Sequence, residues 1–247
     1  MKQAMKAVMG KDLRGITANK QLFSVILIVP VVLSVLLPLM FVLITHFAPQ
    51  EMGDFEAMLR MLPGAEGESM QQRILHLLAN YMMPMMFLLI PVMASSVMAA
   101  NAFVGEKEKQ TLETLLYSPM TLREIFIAKV MAAFWLSMLV SVASFALMVL
   151  VLEGSALLVT GQMVPLEGGW GLIMLLVSPA LSMIAITLMV RTSAKAQNAM
   201  EAQQKAVFLV LPILLLMMGQ FTGVMLLSNW LLLALGLAAM ALALFLL

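Results

Sequence analysis

Residues 103–129 read FVGEKEKQTLETLLYSPMTLREIFIAK, and the rest of the chain is interpreted from them. The stretch is charged at its start, leucine-rich in its middle and broken at Ser118-Pro119, and it separates two long apolar runs. Leu112, Leu115 and Leu116 recur at i, i+3 and i+4, which places them on one helical face. The spacing predicts a short amphipathic helix beginning at Gly105, with Glu106 and Glu108 near its positive N-terminal end. Proline disfavours a helical residue before it, so this helix is expected to stop at Ser118. Thr121-Leu122-Arg123-Glu124 then has the form of a capping box, Thr121 as N-cap and Glu124 at N3, opening a helix that enters the next apolar run. A solvated loop has no use for a leucine face. Those leucines cover lipid headgroups, the protein's own helices or a partner.

Of the 247 residues, 63% are hydrophobic and 11% charged. A soluble domain carries roughly 25% charged residues, so the chain is an integral membrane protein. At this length it is expected to be one membrane domain, 1–247, without a sizeable soluble domain. A net charge of +1 gives no reason to expect nucleic acid as a partner, and the absence of cysteine excludes disulfides and cysteine-ligated zinc. The 27 methionines are spread through the apolar runs and read as adaptable packing side chains.

A spanning helix needs about 20 mostly apolar residues. Six runs qualify: 22–45, 81–104, 125–152, 170–190, 207–227 and 230–247. None carries an ionisable residue in its interior when Lys129 is counted with the connection before it. They are apolar on all faces, without the alternation of a membrane barrel. The expected fold is therefore all-α and polytopic, with six transmembrane helices. The first run exceeds the h-region of a signal peptide, about 7–15 residues, and is read as a retained span. Between the fifth and sixth runs, Gly219, Gln220, Thr222 and Gly223 leave two readings open, a tight turn or a re-entrant piece over 219–229.

Basic residues give the orientation. Lys2, Lys6, Lys11, Arg14 and Lys20 precede the first run, Lys107, Lys109, Arg123 and Lys129 follow the second, and Arg191, Lys195 and Lys205 follow the fourth. Arg60 and Arg73 lie among five acids in the first connection, and the third holds only Glu153 and Glu167. The alternation puts the N-terminus and the 103–129 stretch in the cytoplasm of a cell membrane. Residues 1–21 carry an apolar face (Met5, Val8, Met9, Leu13, Ile16) opposite lysines, the pattern of an interfacial helix on anionic lipid. The polar, alanine-rich segment after Arg191 is helix-prone, with Ser193 a plausible N-cap. Prolines at 30, 38, 84, 91, 179 and 212 predict local kinks.

Ser137, Ser141 and Ser144 form one stripe on the third run; small residues there permit close helix packing or line a translocation path. No paired intramembrane carboxylates, H-E-x-x-H, G-x-S-x-G or phosphate-binding G-x-x-x-x-G-K-[ST] loop occurs. His46 and His76 are far apart, which speaks against a metal site. The chain carries no motif for an engine of its own, so uphill transport would need energy from another polypeptide. A non-transporting scaffold or immunity protein that recruits a cytoplasmic partner is the alternative.

Phe103-Val104-Gly105-Glu106-Lys107-Glu108-Lys109-Gln110-Thr111-Leu112-Glu113-Thr114-Leu115-Leu116, followed by Ser118-Pro119 and Lys129, resembles the membrane subunits of ABC-2 type exporters. Members typically read F-x-G-E-[KR]-E-[KR]-x-T-L-E-x-L-L, then a small-Pro step and a helix with Gly/Ala-Lys near its start. Residues 193–204 look like the family's second, weaker cytoplasmic motif. The sodium-efflux-like and drug or peptide exporter branches look closest. The resemblance implies a non-catalytic permease paired with a second permease subunit and served by a separate ABC-type ATPase that binds ATP-Mg. It implies a cytoplasmic coupling helix in which Gly105, Glu106, Lys107, Glu108, Thr111, Leu112, Leu115 and Leu116 form the ATPase interface. No cofactor is expected in this chain. The 219–229 region is shorter than in members with developed re-entrant helices.

Overall fold

Thr121 opens the longest helix as its sequence demands. In the computed structural model its Oγ1 accepts the Glu124 N–H at 3.3 Å, and its own N–H donates to Glu124 Oε2 at 2.9 Å. The structure describes residues 7, 10, 11, 14, 15, 20–47, 69–108, 121–193, 201, 204, 210–215, 218, 219 and 229–246. Helix α1 comprises Lys20–Val31, a wider π turn Val32–Leu36 and Leu37–Phe47. Helix α2 comprises Met70–Leu77, a π turn Leu78–Met82, Met83–Phe87 and Leu89–Glu108. Helix α3 is Leu122–Thr160. Helix α4 comprises Gly169–Leu172, a π turn Ile173–Val177 and Ser178–Ser193, and α5 is Asn229–Leu246. All five are long and apolar enough to cross a membrane. Most of the predicted interfacial helix 1–21 and most of the 207–227 run lie outside the described residues.

Each π turn has a cause in the sequence. Proline clashes with the carbonyl four residues earlier. Four residues before Pro38, Pro84 and Pro179 stand Ser34, Asn80 and Leu175, each at the middle of a π turn. The wider turn gives that carbonyl room, and the helix continues. The kinks expected at these prolines are thus local widenings. At Pro91 the helix is interrupted instead, by a turn at Leu88.

Two helices extend far beyond their apolar runs. The 39 residues of α3 span about 58 Å at 1.5 Å per residue, against a hydrocarbon core of about 30 Å. It ends at Gly161, a left-handed cap (φ 74°) whose N–H donates to Leu157 O at 3.0 Å. Helix α2 starts at Met70 rather than Tyr81, because Ser69 and Gln72 form a capping box. Gln71, Gln72, Arg73 and His76 end a hydrophobic run without ending a helix. The buried face of that extension is Ile74, Leu75 and Leu77.

Helix α2 sits at the centre, packed against α1, α3 and α4, and α5 packs on α4. The main core joins Met83, Phe87 and Ile90 of α2 to Val42, Met148, Leu152, Trp170 and Ile173. Ile213, from the described helical stretch 210–215, is buried in the same core. A second cluster near the end of α2 joins Val97, Met98, Val104, Val130, Ala133, Ile186 and Met189. A Cβ on Gly169 would stand 3.1 Å from Asn229 Oδ1, and Arg191 Nη2 donates to Leu246 O at 3.0 Å. The starts of α4 and α5 therefore lie together, as do their ends, and the two helices run parallel.

Candidate functional site

The bundle has two polar ends. The basic end gathers the last turn of α2, the first turn of α3 and Arg191 of α4. The acidic end gathers the start of α2 and the link from α3 to α4, with Glu153 and Glu167.

At the basic end the chain departs from one sequence expectation. Helix α2 continues unbroken through Gly105 to Glu108, so no new helix starts at Gly105. Nothing at Val104-Gly105-Glu106 forces a stop, since a single glycine costs a helix only about 1 kcal/mol. Gly105 is buried, and a Cβ there would stand 3.0 Å from Asn101 Oδ1. Glu106, Lys107 and Glu108 thus continue α2 and do not open a new helix. Thr111, Leu112, Leu115 and Leu116 lie outside the described residues. The island is therefore defined by its two roots, Gly105–Glu108 and the Thr121 capping box. Thr121 N–H, with some help from its hydroxyl, holds the Glu124 carboxyl below the ordinary carboxylate range.

Lys129 also departs from expectation. Counted with the connection, it instead sits two turns inside α3 and is 3% exposed. Its Nζ donates to Ala102 O at 2.5 Å and stands 5.6 Å from the Phe103 ring centroid. Composition could not show this, because a lysine near a helix end ordinarily extends toward water. Ser193, expected as an N-cap, closes the described part of α4, and its Oγ donates to Val190 O at 2.6 Å. The helix that began in the membrane carries past Arg191, and the segment Ser193 is expected to cap lies outside the described residues.

The serine stripe of α3 faces the protein. Ser137, Ser141 and Ser144 are buried; Ser137 Oγ donates to Phe134 O and Ser141 Oγ to Ser137 O, both at 2.8 Å. Trp135, Leu139, Val142 and Leu150 occupy the opposite, exposed face.

At the acidic end, side chains hold the link 161–168 onto α2. Asn80 Nδ2 donates to Pro165 O at 2.9 Å, and Asn80 Oδ1 accepts Glu167 N–H at 2.8 Å. Glu153 Oε2 accepts Val164 N–H at 3.2 Å, and Gln72 donates to Gln162. His76 Nε2 lies 3.3 Å from Glu167 Oε1, and Trp170 Nε1–H donates to Ala79 O at 3.2 Å. Beside this clasp is a cavity of about 460 Å³ whose lining includes Ser69, Gln72, His76, Thr160, Gln162 and Pro165. The sequence singled out neither Asn80 nor Trp170, and its only signal was two polar-capable side chains beside apolar runs. Among the described residues no group of three or more His, Asp or Glu is placed to hold a metal ion.

The geometry is that of a polytopic α-helical membrane protein whose charged island is carried by two helices packed against each other. The sequence profile of the family described as "ABC-2 family transporter protein" matches residues 7–232, and the chain belongs to that family. It is a membrane-embedded permease component of an ABC transporter. No curated protein and no solved structure matches the chain.

Proposed function

We propose that the chain is the permease subunit of an ABC exporter, driven through its 103–129 island by a separate ATPase that binds ATP-Mg. The observation that carries this reading is the F-V-G-E-K-E-K-Q-T-L-E-T-L-L motif, which starts within α2 and runs toward α3, in a chain of the ABC-2 family. Gly105, Glu106, Lys107, Glu108 and Thr111 would meet the ATPase, with Leu112, Leu115 and Leu116 seating the island. Positive-inside bias supports a cytoplasmic N-terminus and basic end. Six crossings are favoured because α4 and α5 run parallel: the chain leaves Ser193 at the basic end and re-enters at Asn229 at the acidic end. A second permease subunit would complete the path, with lipid around it. Sodium, a drug, a peptide and a lipid-like molecule are the cargo classes open to it.

The test is co-purification with the ABC-type ATPase followed by ATP turnover in lipid vesicles. Glu106→Arg and Leu112→Asp are each expected to lower ATPase capture or stimulated turnover by about fivefold or more, the scale of a coupling free energy of 1 kcal/mol upward, with membrane insertion unchanged. Full capture and stimulation in both variants would overturn the assignment of the island. Capture without any effect on turnover would point to a recruiting scaffold.

A further inference from the structure

We propose that Lys129 is a positioning residue: an internal tie that makes the two roots of the island move as one body. The inference rests on the functional reading above and adds the element through which a push on the island reaches the bundle. A lysine ammonium inside a membrane-spanning helix is costly and calls for specific partners. Lys129 has them on the neighbouring helix. Ala102 O takes its hydrogen at 2.5 Å, and the Phe103 ring centroid stands 5.6 Å from Nζ. A backbone carbonyl has two acceptor sites, so Ala102 can hold this bond and its place in α2 together.

The location is what gives the tie a consequence. Ala102 lies six residues before Glu108, the last described residue of α2, and Lys129 lies eight residues after Thr121, where α3 begins. Phe103 and Phe126 add a ring contact at 5.7 Å between the same two turns. Val104, Ala128 and Val130 close the region from water. Asn101 lies over Gly105 one turn nearer the island. A force on the island arrives at two helix ends that could otherwise splay. Fixed to each other by a charge-assisted bond, they transmit it to α2, which contacts α1, α3 and α4. Apolar packing alone would allow the helices to slide, because lipid solvates an apolar side chain as well as a neighbouring helix does. A short directional bond to one carbonyl does not permit that sliding.

The chain has no cysteine, so a single reporter can be placed at Met163→Cys in the exposed link of the acidic end, the full length of the bundle from Lys129. The permease–ATPase complex, with an environment-sensitive label on that cysteine, is reconstituted in vesicles, and the ATP-induced signal is measured per ATP hydrolysed. Lys129→Met keeps the bulk and removes the donor and the charge. It is expected to insert, to capture the ATPase, and to lose the signal per ATP by about tenfold, within the usual range of coupling between sites. Lys129→Arg, which keeps a cation and donors, is expected to restore most of it. A Lys129→Met signal equal to that of the unsubstituted chain overturns the tie. If Lys129→Met does not accumulate, Lys129→Gln is read instead: a full signal there overturns the tie, and a lost signal with ATPase capture intact supports it. An unsubstituted chain that captures no ATPase strikes the functional reading, and the tie falls with it.

Discussion

Helices α2 and α5 are both apolar enough to span a membrane, yet 78% of the most apolar stretch of α2 is buried inside the protein and only 17% of that of α5. The order of hydrophobicity does not explain this. Helix α2 has the lowest mean hydropathy of the five, and α1, the most hydrophobic, is largely exposed. In water the most apolar helix would be the most buried. In a bilayer, lipid tails are as apolar as leucine, so association is decided by close packing and polar contacts. Helix α2 supplies both, through the buried small residues Ala94, Ser95, Ser96, Ala99, Ala100 and Ala102 and through the polar anchor Asn80. Helix α5 offers mainly leucine and alanine, and touches α4 along a narrow seam at Leu232, Gly236 and Ala243.

The largest expected effect tests whether the centre holds the bundle. Trp170 bonds Ala79 O of α2 and stacks edge-on with Phe87 (5.7 Å) and tilted with Phe145 (5.3 Å), joining α2, α3 and α4. Trp170→Ala should destabilise the protein by about 3–5 kcal/mol, read as a fall in the detergent thermal midpoint. Phe245→Ala on α5, where the ring is 86% exposed, should change that midpoint little. Equal effects would break the comparison. Next in size is the α4–α5 seam. A Cβ on Gly236 would stand 2.6 Å from Leu176 Cδ2, so Gly236→Val should cost about 1–3 kcal/mol through overpacking. The loss should be local, seen as faster proteolysis or labelling at α5 while the α2 contacts persist. The smallest concerns the clasp: Asn80→Ala removes the bonds to Pro165 and Glu167 and should cost about 1–2 kcal/mol. Hydrogen exchange across 161–168 should rise while the α2–α3 contact near Lys129 stays protected.

Much of the architecture was legible because single-residue chemistry settles it. Apolar runs of spanning length gave the helices, the Thr121-x-x-Glu124 pattern gave the start of α3, and Pro38, Pro84 and Pro179 marked where the helices deform. The errors share a physical origin. Hydropathy changes at Tyr81 and Gly105, yet neither limits a helix, because backbone hydrogen bonding continues wherever no proline or cap ends it. Asn80 and Trp170 were unreadable as anchors because their partners stand more than eighty residues away in the chain.

What the sequence determined by itself is that the chain lives in a bilayer as helices, with an acidic and a basic side and a family motif on the basic one. Those follow from transfer free energies and local backbone preferences, which each residue carries wherever it is placed. Only the tertiary structure decided which helix stands at the centre, that α4 and α5 run parallel, and that Lys129 turns inward to Ala102. Among helices that are all apolar enough to span, those choices depend on shape and on single polar bonds between distant residues, and these exist only after the helices have met.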